Sequence, residues 1–265
     1  MYKLAVIGNP IEHSLSPLIW TQFAKQLDIP LEYTKILARE DNFESVVEDF
    51  FKSGGKALSV TAPFKARAFN LAKIHNQHTL IPHTANLLIQ DNDRIIADNT
   101  DGLGLVADLE RMGVDLAHKN ILIIGSGSVI YSVLSSLLAK LPSRVDFLMR
   151  NQDKLSEFMS VSNFIKPYNS EISYDLVINT TPNSPDNKLF AEVRFLSNQA
   201  VAYDMIYTAQ QTLFMQSMQN INSAIKQANG IGMLIQQAKV AFELVFNQVP
   251  NAELLYPLLQ EKFNG

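Results

Sequence analysis

Short apolar runs alternate with segments of helical period along most of this chain. Residues 2–8 read as a strand ending in Gly8, and residues 16–27 as a helix with Pro17 suited to its first turn. A strand over 31–37, a helix over 42–53 stopped by Gly54-Gly55, a strand over 57–61 and a helix over 64–72 follow. Segments 84–90 and 94–99 flank Asp91-Asn92-Asp93, whose short polar side chains favour a tight turn, so they read as a hairpin. Residues 100–112 form a helix ended by Gly113. A new pattern starts at Asn120. Ile121-Leu122-Ile123-Ile124 is a buried strand by composition, followed by Gly125-Ser126-Gly127 and an apolar-rich helix over 129–141. Strands over 144–149, 175–179 and 200–205 complete a βαβ series, which requires a parallel sheet. Residues 232–248 form a long helix with one apolar face. The fold class is α/β, with a change of domain near the helix over 101–113 and no repeat or flexible linker at the joint.

The bulk properties narrow the function. At 265 residues the chain is long enough for two modest domains. Its 47% hydrophobic and 18% charged residues are globular composition. A net charge of −4 argues against nucleic acid as a partner, because phosphate binding needs concentrated positive charge. The absence of cysteine excludes disulfides, thiolate zinc sites and cysteine nucleophiles; no metal site is expected. The N-terminal apolar run ends at Gly8 and reads as a strand, not a leader, and no apolar stretch is long enough to cross a bilayer. The expectation is a soluble cytoplasmic protein acting on a small molecule, monomeric or homodimeric.

Two features carry chemistry. Lys65 and Asp101 each end an apolar, strand-like segment, and with the glycine loop they frame one possible cleft. An ammonium paired with a carboxylate can move one proton to or from an alcohol, and a nicotinamide beside them could move the hydride. A solvated surface lysine is the alternative reading of Lys65. The second feature is the order strand, Gly125-Ser126-Gly127, helix, which a dinucleotide loop requires: the glycines allow a tight turn and backbone approach to a pyrophosphate. Ile130 stands where the fingerprint's third glycine would be. The next strand ends Met149-Arg150-Asn151 with no carboxylate for a ribose 2′-hydroxyl, and the Arg150 guanidinium suits a 2′-phosphate, so NADP is favoured over NAD. Nearby Lys154 fits this basic end or a solvated turn.

Five segments carry a family resemblance: Gly8-Asn9-Pro10-Ile11-Glu12-His13-Ser14-Leu15-Ser16-Pro17, Val60-Thr61-Ala62-Pro63-Phe64-Lys65, Asn99-Thr100-Asp101-Gly102, Tyr203-Asp204-Met205-Ile206-Tyr207, and Gly232-Met233-Leu234 leading to Gln237-Ala238. In this order and spacing the chain resembles shikimate dehydrogenases over nearly its full length. The resemblance implies a substrate-binding α/β domain over 1–100, rejoined by C-terminal helices over 233–265, and a Rossmann-type NADP-binding domain over 101–232. It implies NADP-dependent, reversible reduction of 3-dehydroshikimate to shikimate in aromatic amino acid biosynthesis, with Lys65 as acid–base group and Asp101 orienting it. Ser14 and Ser16 are implied as carboxylate binders, with helix capping as a second role. Thr61, Asn86, Asp101 and Gln237 are implied for the ring hydroxyls and Tyr207 as a further substrate contact. Gly125, Ser126, Gly127, Ser128, Val129 and Arg150 are implied for the cofactor, with Met205 and Gly230 on its nicotinamide side; for Met205, plain core packing is the alternative. The chain departs from the family's pattern at Ser59, Leu87, the glycine loop, Met149-Arg150-Asn151 and Ile19-Trp20. A quinate/shikimate paralogue using NAD, a weakly catalytic shikimate-binding protein and a folate-linked dehydrogenase are the other readings.

Overall fold

The computed structural model describes the chain except for Asn183, Pro185, Asp186, Ala209 and Gly265, and without the side chains of Phe263 and Asn264. It divides into two compact units, Met1–Leu105 with Leu234–Pro257, and Val106–Met233 with Leu258–Gly265. The sequence reading puts the first change at 100/101 and assigns all of 233–265 to the first unit. Here the change falls inside a helix, a continuous rod that carries the chain past the end of one set of contacts before the next begins.

The first unit contains strands β1 (Tyr2–Gly8), β2 (Leu31–Leu37), β3 (Gly55–Val60), β4 (Ile74–His75), β5 (Leu87–Asp91) and β6 (Arg94–Asp98). Its helices are α1 (Ser16–Gln26), α2 (Phe43–Lys52), α3 (Lys65–Leu71), α4 (Gln77–Leu80) and the start of α5 (Asp101–Arg111). The sheet order is β2-β1-β3-β5-β6-β4. The strands β2, β1 and β3 run parallel, whereas β5 is antiparallel to both β3 and β6. Ala5, Ile7, Leu58 and Val60 share a core with Phe43, Val47 and Phe64, the rings of Phe43 and Phe64 stacking at 4.5 Å. Trp20 and Phe23 of α1 pack on Phe242, at 5.4 and 5.8 Å between ring centroids. The mixed topology decides where chemistry gathers. Ser59 pairs with Leu87, and Leu87 with Asp98, so the end of β3, the start of β5 and the end of β6 lie side by side at one end of these strands.

The second unit has β7 (Asn120–Ile124), β8 (Arg144–Leu148), β9 (Ile165–Pro167), β10 (Tyr174–Asn179), β11 (Leu196–Asp204) and β12 (Lys226–Asn229), with helices α6 (Val129–Leu138), α7 (Gln152–Val161) and α8 (Leu213–Ile221). Every pairing is parallel, in the order β12-β11-β10-β7-β8-β9. Counted along this half of the chain, the strands lie third, second, first, fourth, fifth, sixth, which is the doubly wound dinucleotide-binding order. The switch point lies between β7 and β10, where successive crossovers leave in opposite directions. Helices α9 (Ile231–Phe246) and α10 (Leu255–Asn264) close the chain. Among the described residues no helix is long and apolar enough to cross a membrane.

Candidate active site

Lys65 is the first residue of α3 and Asp101 the first of α5, so each is set by the turn leaving a strand at this same end of the sheet. Lys65 Nζ donates to Asp101 Oδ2 at 2.6 Å. The lysine side chain is 27% exposed and the aspartate 7%, so the amine reaches solvent space while its partner is held inside. At the first position of α5 the carboxylate also faces the positive end of the helix dipole.

Asn86 is the hub beside this pair. Its Nδ2 lies 2.8 Å from Asp101 Oδ1, 3.0 Å from Thr100 Oγ1 and 3.3 Å from Gln237 Oε1. Its Oδ1 accepts from the Thr100 backbone N–H at 2.9 Å. Gln237, on α9, comes close because Gly104 on α5 has no side chain: a Cβ there would lie 2.5 Å from Gln237 Cβ and 2.6 Å from its backbone nitrogen. Thr61 follows β3, with its backbone N–H on Ile7 O at 3.0 Å. Ser14 Oγ accepts from the Ser16 N–H at 3.3 Å. Ser16 begins α1, and the residue in the capping position is Leu15, which makes no side-chain cap. The serine pair still satisfies one of the helix's leading N–H groups. Sequence reasoning missed Tyr33, whose hydroxyl donates to Ser59 Oγ at 2.7 Å and is also in contact with Ser16. Burial pushes this phenol well above its usual range, partly offset by the bonds to Ser59 and Ser16, so it stays a donor. Thr100 and Gly104 also join the site without a role in the sequence reading, although Thr100 stands inside the motif Asn99-Thr100-Asp101-Gly102.

The remaining candidates lie in the second unit. Gly125 has φ +111°, and a Cβ on it would lie 2.6 Å from both Thr180 Oγ1 and Thr181 Cγ2. Glycine is therefore required twice over, by conformation and by space. Among the described residues, no acceptor takes the N–H groups of Ser126, Gly127, Ser128 or Val129, which lead into α6. Such a row of open donors at a helix N-terminus is a ready anion seat. The loop lines a 520 Å³ cleft with Arg150, Thr180, Thr181 and Asn187 at the switch point of the sheet. The donor row, the cradle at Gly125 and a guanidinium on the same cleft fit the pyrophosphate and 2′-phosphate of NADP. Ile130, which replaces the third glycine, is fully buried and turns inward, its N–H bonding Gly127 O at 3.1 Å. Met205 extends β11 by an N–H bond to Asn179 O, and Gly230 fits against it, since a Cβ there would meet Met205 O at 2.3 Å. Asp204 fixes this turn by accepting from Asn179 Nδ2 at 3.0 Å, the Ile206 N–H at 3.1 Å and the Thr212 hydroxyl. Tyr207 is 40% exposed, and partial burial pushes its phenol upward. No cluster of three or more His, Asp or Glu side chains among the described residues is arranged to hold a metal.

Residues 6–88 match the family of the shikimate dehydrogenase substrate binding domain. A shikimate dehydrogenase (NADP(+)) from Vesicomyosocius okutanii is 38% identical over 261 residues, covering 96% of this chain and 97% of its own. One from Legionella pneumophila (strain Lens) is 36% identical, covering 95% and 96%. The crystal structure of an Ael1 enzyme from Pseudomonas putida superposes with a TM-score of 0.88 at 31% identity, with 98% of each chain covered. With relatives this similar from end to end, the chain belongs to the shikimate dehydrogenase family.

Proposed function

We propose that this protein is an NADP-dependent shikimate dehydrogenase, interconverting 3-dehydroshikimate and shikimate in aromatic amino acid biosynthesis. The observation that supports it most is the Lys65–Asp101 pair at 2.6 Å, set beside the amides of Asn86 and Gln237. In reduction the Lys65 ammonium gives its proton to the carbonyl oxygen of the substrate. In oxidation the Lys65 amine takes the proton of the hydroxyl. Bound NADPH supplies the hydride to the carbonyl carbon, and NADP accepts it in the reverse direction. Asp101 fixes the direction of the amine and accepts from a ring hydroxyl. Thr61, Asn86 and Gln237 each both donate and accept, which is what neighbouring hydroxyls demand. Ser14 and Ser16 hold the carboxylate, and Tyr207 adds a further contact. The open N–H groups of the glycine loop hold the pyrophosphate, Arg150 the 2′-phosphate, and Met205 and Gly230 border the nicotinamide.

An ultraviolet assay of shikimate against quinate, each with NADP and NAD, tests the reaction; the largest kcat/KM is expected for shikimate with NADP. Lys65→Ala is expected to lose about 10²–10⁴-fold in turnover, the usual worth of a positioned acid–base group. Shikimate binding by calorimetry should persist in that variant. Undiminished turnover would remove the acid–base assignment.

A further inference from the structure

A second carboxylate stands behind the Lys65–Asp101 pair. Asp98, the last residue of β6, is 1% exposed. Its Oδ2 accepts from Asn76 Nδ2 at 2.7 Å. Its Oδ1 accepts from the Asn99 N–H at 2.7 Å and lies 3.0 Å from Nδ1 of His78, on α4. An ionised carboxylate only accepts, so this contact requires a proton on Nδ1. The other ring nitrogen lies 3.3 Å from the Gln77 amide nitrogen, a donor, which fits a bare Nε2 and the same tautomer.

Asp98 supports two of the groups assigned to the ring hydroxyls. Its backbone carbonyl takes the Asn86 N–H at 3.1 Å. Its carboxylate holds the Asn99 N–H, and Asn99 passes the constraint forward: its Oδ1 accepts from the Asp101 N–H at 3.2 Å, while its Nδ2 is held on Thr84 Oγ1 at 2.9 Å. Only Asn99 and Thr100 link β6 to α5, so these few bonds set where Asp101 begins its helix. The Asn99 N–H is Asp98's own neighbour in sequence and moves with it, and Asn76 holds the far oxygen. The His78 bond is the one that ties Oδ1 to a different element.

We propose that His78 is a positioning residue for the Lys65–Asp101 pair, acting through Asp98 and Asn99. Its Nδ1–H fixes the Asp98 carboxylate, which fixes the turn that aims Asp101. This rests on the catalytic pair proposed above. His78 itself touches neither Lys65 nor Asp101 among the contacts described.

The test compares the natural protein with His78→Ala, which removes the donor, and His78→Asn, whose amide nitrogen takes the place of Nδ1. Steady-state kinetics with shikimate and calorimetric binding of NADP are the readouts, and thermal melting checks folding. In His78→Ala, kcat/KM for shikimate should fall about 10–100-fold, the scale of a slightly misplaced catalytic group. NADP affinity should be unchanged, because its seat lies in the other unit, and His78→Asn should recover most of the loss. Unaltered kinetics in a less stable His78→Ala would overturn the proposal, as would an equal loss of NADP affinity or a failure of His78→Asn to recover activity. Nitrogen-15 NMR of the natural protein gives a readout independent of how the alanine variant folds. The His78 signal, identified by its loss in His78→Asn, should show Nδ1 protonated and should move on addition of shikimate. An Nδ1 without a proton would overturn the proposal too. If the natural protein did not oxidise shikimate at all, the catalytic pair itself would fall, and this role with it.

Discussion

Gly104 shows how one missing side chain composes a site. Gln237 is far from Asn86 in sequence, yet its Oε1 lies 3.3 Å from both Asn86 Nδ2 and Thr100 Oγ1. That distance exists only because α5 and α9 touch at Gly104 without a Cβ between them. The obstructing atoms would include backbone, so a methyl group there cannot be absorbed by rotating a side chain. Gly104→Ala should therefore cost about 1–3 kcal/mol of stability, the usual penalty for overpacking. It should also raise the KM for shikimate, because the Gln237 amide moves away from the hydroxyl it serves. Urea unfolding and steady-state kinetics measure the two effects. A variant with lowered stability and unaltered KM would show that Gln237 does not bind substrate. The Asn86 amide is worked equally hard: three acceptors lie within reach of a nitrogen that has two protons, leaving an acceptor open to the hydroxyl of a ligand.

The strands and helices that carry these residues were legible where the sequence had a strong apolar period, as in β1, β7 and α6, and illegible where pairing alone makes the element. β9 spans only Ile165–Pro167, and β12 reads Lys-Gln-Ala-Asn; both close the outer edges of the second sheet through backbone bonds that need no apolar side chain. Helices α7 and α8 did have a signal: Asn151 and Thr212 accept from the N–H three residues on, the ordinary N-cap geometry. In the site, Lys65, Asn86, Asp101 and Gln237 could be reached through their motifs. Tyr33 could not, because its link to Ser59 and Ser16 depends on β2 and β3 flanking β1. A second illegible tie is Asp146 in the middle of β8, fully buried, accepting from Arg144 Nε at 2.8 Å and from the Tyr174 hydroxyl at the start of β10. Burial raises its pKa, and the bonds from Arg144 and Tyr174 offset this only in part. The folded state therefore holds this proton more tightly than the unfolded chain. Its contribution is fully present below the ordinary aspartate value of ~3.9 and is lost as the pH rises through the higher folded value. The stability of the natural protein minus that of Asp146→Asn should accordingly fall with rising pH across that window. Urea unfolding at a series of pH values measures it, and a difference that rises with pH would contradict the raised value.

At the scale of the whole molecule, the chain passes between its two units inside helices: α5 begins with Asp101 in the first and ends in the second, and α9 begins in the second and continues in the first as Gln237. The second-unit segments of both helices are anchored by one buried carboxylate. Asp108 accepts from the Tyr203 hydroxyl at 2.8 Å and from Arg111 Nε at 2.9 Å, while Tyr203 takes the Met233 N–H at 3.0 Å and Gly232 leaves room for the carboxylate. Each unit thus has its own sheet, its own core and its own set of candidate ligand groups, and the two ligands should register separately. A ligand present at 100 times its Kd stabilises the state that binds it by about 2.7 kcal/mol. Hydrogen exchange resolves where that stabilisation appears, because local openings report local free energies. Shikimate alone should slow exchange around 61–65, 85–101 and 234–238, where Lys65, Asn86, Asp101 and Gln237 are held. NADP alone should slow it at 125–130 and 179–181, where the open N–H groups of the loop acquire phosphate acceptors. Protection by shikimate confined to the second unit would contradict the placement of the hydroxyl-binding residues, and protection by NADP that bypasses 125–130 would contradict the glycine loop as its seat.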